Sequence, residues 1–391
     1  SSSSSTECGE VQREEGEDSD RYERPVFGSC AKHIWSAAQR LASRSRLVEE
    51  LVGDLVAVLQ ERLSESFFPV LQPAIGVGSA FEGWSPCGRD AVYRLLVPLK
   101  PPRGHAFRLE LGTAAEMMAR DARVRVELVC SCTREQLLQN MPCVLHHPEE
   151  QELRRRNPAA SLLGTLCTGS YLDVQKTAQW FQNLVSSAWE ETPQAHRYSM
   201  KVLPSSRSCK LQLTNASGKS LFLDIVFGVQ QGDSDIFLSS QEETTEAVFT
   251  PSTRWAESYA VAEVKFFRHV ARQAPHDTSY LKCLQLFAAL LVGTGFSTST
   301  FKTVAMHLLN SIPVSSWSRR EFLMRLQDLL WYLRGCLDNK RLDHFFFANE
   351  NMPEDIILPP AFQTAQPLNL FQRLLQDPAA HAKAMREADE L

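Results

Sequence analysis

Leu221-Phe222-Leu223-Asp224-Ile225-Val226-Phe227 sets one carboxylate inside an otherwise apolar run. A short run of this composition reads as a buried strand. An acid inside it is costly unless it is paired or holds a cation. Two stretches further upstream carry polar residues in comparable places. Pro73-Ala74-Ile75-Gly76-Val77 leads into Gly78-Ser79, a strand entering a tight turn, and Asp90 opens Ala91-Val92-Tyr93-Arg94-Leu95-Leu96-Val97. Strand-borne acids beside a small-residue turn point to phosphoryl transfer, in which three carboxylates hold two metal ions about 4 Å apart. Side chains at i and i+2 share a strand face, so the partner of Asp90 belongs at position 88. That position is Gly88, which has no ligand atom to offer. The pattern is a remnant, with Asp90 and Asp224 kept and one acid lost.

Around these strands the periodicity predicts an α+β organisation. Residues 1–25 are Ser- and Glu-rich without an apolar pattern and read as a disordered tail. Leu47, Leu51, Leu55, Leu59 and Leu63 recur at i,i+4 and predict a long amphipathic helix ending before Pro69. Strands are expected at 73–78, 90–98, 106–111, 124–132, 197–203, 207–214 and 220–229, with a helix at 172–189. The polar stretch 231–252 is the expected boundary region. After it the pattern turns helical, at 255–273, 279–292, 298–310, 318–337 and 368–387. The expected division is 1–25, 26–245 and 246–391.

Composition narrows the function. The chain has 391 residues and a net charge of −5. Residues 1–24 hold eight acids and three Arg, which leaves the body neutral. A neutral body lacks the basic footprint of general nucleic-acid binding. No window approaches the roughly 20 apolar residues of a membrane span. Ten cysteines are scattered, mostly in apolar runs, as expected of buried thiols in a reducing compartment. One tighter group, Cys130, Cys132, Cys143 and His146 with His147 beside it, is a zinc candidate, although its spacing matches no standard finger. The alternative is free thiols at a strand end. Asn215-Ala216-Ser217 is a sequon that the hairpin turn alone explains.

Several stretches resemble a known superfamily. Gly78-Ser79-Ala80-Phe81-Glu82, the Asp90 strand, Arg207-Ser208-Cys209-Lys210, Leu223-Asp224-Ile225, Trp255-Ala256-Glu257-Ser258-Tyr259, Lys282-Cys283-Leu284 and Phe296-Ser297 through Lys302-Thr303 resemble the male-abnormal-21-like nucleotidyltransferase-fold superfamily. Cyclic GMP–AMP synthase belongs to it. Gly76-Val77-Gly78-Ser79-Ala80-Phe81-Glu82-Gly83-Trp84, Leu166-Cys167-Thr168-Gly169-Ser170-Tyr171-Leu172-Asp173 and Pro367-Leu368-Asn369-Leu370-Phe371 resemble the inositol trisphosphate receptor-interacting protein family. The resemblance runs from about residue 30 to the C-terminus.

It implies a nucleotidyltransferase-fold mixed sheet with a long N-terminal helix, followed by an all-helical domain. By its alignment the metal-ligating acids fall on Gly88, Asp90 and Asp224. The phosphate-directed lysine of the active synthases falls on Ala288, and their base-stacking tyrosine on Ser299. The zinc insertion that lets the synthase hold DNA would lie between Phe266 and Leu281, where no Cys occurs. The implied protein is a catalytically degenerate adaptor without cofactor, neither magnesium nor manganese being expected. Its implied partner is the inositol trisphosphate receptor and not nucleic acid. The resemblance also implies a single-pass membrane protein, anchored outside this stretch, with this region in the cytoplasm.

The alternatives are a sensor that binds a nucleotide or inositol phosphate, with Gly78, Ser79 and Glu82 as candidate contacts, and an active cyclic-nucleotide-type transferase. Each residue also has a plainer reading. Gly78-Ser79 can be a turn at a helix start that attracts an anion. Asp224 can pair with a cation such as Arg207. Lys302 and His307 read as solvated face or core edge, His146-His147 as an exposed loop, and Phe345-Phe346-Phe347 as helix packing.

Overall fold

The computed structural model describes residues 28–86, 91–112, 121–129, 162–241 and 250–391. Among these residues twelve strands join in one mixed sheet: β1 (Val70–Leu71), β2 (Ile75–Val77), β3 (Val92–Lys100), β4 (His105–Leu111), β5 (Asp121–Leu128), β6 (Cys167–Thr168), β7 (Tyr171–Leu172), β8 (Tyr198–Leu203), β9 (Cys209–Asn215), β10 (Ser220–Gln230), β11 (Phe237–Ser239) and β12 (Trp255–Ser258). The central pair, β3 and β10, is parallel. β2 lies antiparallel on β3, and β8–β9 form a hairpin on β10. The α-helices among the described residues are α1 (Gly28–Arg62), α2 (Ser79–Glu82), α3 (Leu162–Thr165), α4 (Val174–Ala188), α5 (Ala260–Gln273), α6 (Tyr280–Leu291), α7 (Thr298–Ser311), α8 (Phe322–Asp338), α9 (Ala361–Thr364), α10 (Gln372–Gln376) and α11 (Pro378–Asp389).

The two faces of β10 do different work because strand side chains alternate. Leu223, Ile225, Phe227 and Val229 enter one core with Val48, Leu51, Val52, Leu55, Val56 and Leu59 of α1 and with Phe181 and Val185 of α4. The 3.6-residue period of α1 brings that whole stripe to the sheet. Full burial of one such leucine contributes about 2 kcal/mol. On the opposite face Val226 joins Leu96, Val77 and Phe237 against Val261 and Val264 of α5. The other side of α5 presents Ala262, Phe266, Phe267 and Val270 to the helical core built with α6, α7 and α8. One helix therefore serves both lobes.

Three expectations change. The segment 255–273 is not helical throughout, since Trp255–Ser258 forms β12 against β11 and β5. The indole of Trp255 is fully buried and donates to the Leu172 carbonyl, so the sheet runs on past the polar stretch. The expected helix at 368–387 is broken, because Asp377 leaves the helical region and caps α11 ahead of Pro378. Finally, Phe345-Phe346-Phe347 is not itself helical, but all three rings are buried in the helical core, in keeping with packing.

Candidate functional site

Register places Gly78, Ser79 and Asp224 at one end of the sheet. Val77 of β2 lies opposite Arg94 of β3, and Arg94 lies opposite Asp224 of β10. Gly78-Ser79, which follow β2, are therefore brought to the Asp224 end. Asp90 and Gly88 lie outside the described residues, as do Cys130, Cys132, Cys143, His146 and His147. Among the described residues no group of three or more His, Cys, Asp or Glu is arranged to hold a metal ion.

The Asp224 side chain is 7% exposed, and its Oδ2 accepts from Arg94 Nε at 3.3 Å. Its Oδ1 is buried without a hydrogen-bond partner among the described residues. The expected pairing with Arg207 is corrected. Arg207 donates through Nε to the Ser240 carbonyl and through Nη2 to the Arg254 carbonyl, tying β9 to the segment before β12. Arg94 was visible in the sequence as a cation inside an apolar run, yet nothing local linked it to Asp224. Lys210 lies across from Asp224 on β9 and is exposed.

Gly78 has φ of 84°, which a side-chain-bearing residue rarely adopts, and opens the single turn α2. Gly76 is required by close approach: a Cβ there would lie 2.4 Å from the Phe81 ring. Glu82, at the end of α2, is enclosed. Its Oε2 accepts from Trp84 Nε1 at 2.7 Å and its Oε1 from Lys302 Nζ at 2.9 Å. Lys302 Nζ also meets Glu263 Oε2 at 3.0 Å. The expectation of a solvated or core-edge Lys302 is corrected, for the residue is 8% exposed. Burial raises the Glu82 pKa above its ordinary value, and the charge of Lys302 opposes the rise. Burial alone would lower the Lys302 pKa, but Glu263 and Glu82 outweigh it and raise it. Trp84, Glu82, Lys302 and Glu263 thus join α2 of the sheet lobe to α5 and α7. Gln285 of α6 adds a bond from Nε2 to the Gly83 carbonyl at 3.1 Å.

The positions on which the resemblance would set nucleotide contacts differ in exposure. Ala288 is buried in the helical core, whereas Ser299 is exposed near the start of α7. His307 is half-buried, with Nε2 2.8 Å from the Asp343 carbonyl and its ring packed against Phe345. Away from Asp224, at the far end of β3, a pocket of about 380 Å³ is bordered by Lys100, Asp235, Lys265 and Arg268. There Lys265 Nζ is held by Asp235 Oδ1 at 2.7 Å.

The other motifs behind the resemblance are internal ties. Asp173 caps α4 through Oδ1, while its Oδ2 accepts from the hydroxyls of Thr168 and Ser252, each at 2.7 Å. Asn369 accepts from the amides of Leu342 and Phe371 and donates to the Lys340 carbonyl. The sequon residue Asn215 turns the β9–β10 hairpin by accepting from the amides of Ser217 and Lys219.

Residues 280–357 match the family described as the Mab-21 protein HhH/H2TH-like domain, spanning α6 to α8 and the phenylalanine cluster. The chain is 38% identical over 375 residues to inositol 1,4,5-trisphosphate receptor-interacting protein-like 1 of Rattus norvegicus, covering 93% of this chain and 68% of that protein. It is 30% identical over 390 residues to the inositol 1,4,5-trisphosphate receptor-interacting protein of Homo sapiens, covering 93% and 68%. It is 27% identical over 362 residues to the protein of that name in Danio rerio, covering 88% and 67%. The chain thus spans about two thirds of the length of these relatives. The expected membrane-associated location is corrected: no helix among the described residues is long and apolar enough to cross a membrane, and the relatives are named for a receptor interaction rather than as membrane proteins. The α+β architecture with its Mab-21 helical region and the identity along nearly the whole chain agree, and the chain belongs to the inositol 1,4,5-trisphosphate receptor-interacting protein family.

Proposed function

We propose that this chain is a catalytically degenerate nucleotidyltransferase fold that works as a protein-binding adaptor, with the inositol 1,4,5-trisphosphate receptor as the partner its relatives' names point to. Gly88 is the observation that carries the reading, because no carboxylate stands where a two-ion site needs its first ligand. The surroundings of Asp224 support it. The guanidinium of Arg94 beside Oδ2 repels a divalent cation, so the residues present do not fit a two-ion centre. Ala288 supports it too, since a core methyl group cannot reach a phosphate.

Loss of one ion from a two-ion site removes several kcal/mol of transition-state stabilisation, about a thousandfold or more in rate. The chain incubated with ATP, GTP and manganese, with and without DNA, is expected to form no product. Synthesis that Asp224→Asn abolishes would refute the adaptor. One observation favours the sensor as a second reading: the buried Asp224 Oδ1, without a partner among the described residues, is an acceptor that a ligand hydroxyl could satisfy. Calorimetry with nucleotides, with and without magnesium or manganese, separates the two, since heat of binding without turnover supports the sensor alone.

A further inference from the structure

α8 turns an apolar ridge outward. Its inner face is the buried set Leu326, Leu329, Leu333 and Leu337. On the other side Leu323, Met324 and Trp331 are 52%, 54% and 64% exposed. Met324, Gln327, Trp331, Gly335 and Asp338 recur at steps of three and four, so they form one stripe along the helix. Exposed Arg320, in the turn just before α8, extends the stripe at its N-terminal end, and Asp338, 58% exposed and 3.7 Å from Arg334 Nε of the same helix, closes it at the other. A Cβ on Gly335 would meet nothing within 4 Å, which leaves a notch one turn from the Trp331 ring.

The order along this stripe is cation, methionine, glutamine, tryptophan, notch, anion. Reversed, it complements itself. If two copies of α8 pack antiparallel about a two-fold axis near Gln327, Met324 of each faces the second copy's Trp331. That contact pairs a thioether with an aromatic ring. Arg320 of each then lies against the second copy's Gly335 notch and about one turn from its Asp338. A parallel pairing would set Arg320 against Arg320 and Asp338 against Asp338. Two-fold pairing is the commonest symmetry of soluble oligomers, and aromatic and Met residues are enriched at such interfaces.

We propose that the outward stripe of α8, from Arg320 to Asp338, is an antiparallel self-association surface for a second copy of this chain. One helix pair is small beside a standard interface, so the dimer forms in roughly the 10–100 µM range.

Sedimentation velocity of the whole chain from about 1 to 200 µM tests it. The apparent mass is expected to rise with concentration from 44.0 kDa towards twice that value. Trp331→Glu should weaken association at least tenfold without lowering the melting temperature, because this side chain is mostly exposed. Arg320→Glu should weaken it less. Adding Asp338→Arg to that variant should restore association, since the swapped charges meet again across the axis. Gln327→Cys should give an oxidised dimer faster than the parent chain, and Trp331→Glu should slow it. A monomer across the whole range overturns the proposal, as does undiminished association of Trp331→Glu. Failure of the charge swap to restore association overturns the antiparallel register. A monomer that binds a different protein through Trp331 reassigns the stripe to that protein.

Discussion

Asp224 is bordered by a cation on each neighbouring strand, Arg94 on β3 and Lys210 on β9, and hydrogen-bonds only the first. Arg94 is about one third exposed, so solvent screens the pair and its contribution is small. Asp224→Asn keeps the volume and an acceptor for Arg94 Nε. Its melting temperature should therefore move by no more than about 1 kcal/mol implies, in either direction. A collapse of the fold in a thermal melt would mean that the carboxylate charge itself is structural. The buried thiols permit a second test. Burial pushes Cys167, Cys209 and Cys283 up to about 12. Thiolate is the reactive form, so at pH 8 these three should resist alkylation in the folded chain and label on unfolding, as read by peptide mass mapping.

Among the elements, α1 carries the sheet lobe. Leu55 is 1% exposed in the core shared with β3 and β10. Leu55→Asp sets an unpaired charge there, at a cost of several kcal/mol. Loss of the cooperative melt and of soluble yield is expected; a native-like melt would place α1 outside the core. The period of α1 was legible from leucines alone, whereas β11 and β12 were not. Phe237–Ser239 and Trp255–Ser258 are too short to show alternation, and their strand character comes from pairing with β10 and β5. The 368–387 stretch misled in the opposite way. Its helical composition is real, but the Asp377 side chain captures the amides of Ala379 and Ala380 and starts a new helix.

At the scale of the whole molecule, the two lobes are held by a buried group with one cation and two acids. Removing the cation alone strands Glu82 as a carboxylate in an apolar enclosure. Lys302→Met should therefore cost about 3–5 kcal/mol at neutral pH, and adding Glu82→Gln should recover part of the loss. The pH dependence follows from the direction of the Glu82 shift. Its folded pKa lies above the ordinary value, so its favourable contribution is present at low pH and is lost as pH rises through the folded pKa. Without Lys302 the opposing attraction disappears and the pKa rises further. The deficit of Lys302→Met against the parent should thus be largest at neutral and alkaline pH and shrink as pH falls from neutral. Denaturant melts at several pH values measure this, and a deficit that grows on acidification would contradict the assignment.

Local periodicity was enough for the α+β class, the long first helix, the strand around Asp224 and most helices of the second lobe, because each depends on residues a few positions apart. That position 88 holds glycine was equally open to reading, as a matter of residue identity. Partnership was not. Arg94 meets Asp224 across 130 residues and Lys302 meets Glu82 across 220, so each pair follows from strand register and lobe packing rather than from spacing. Arg207 was an equally good local candidate for Asp224 and Lys302 an equally good surface cation. Only the tertiary structure decided between them, because a charge is committed by the neighbour that shares its desolvated space, and chain order does not specify that neighbour.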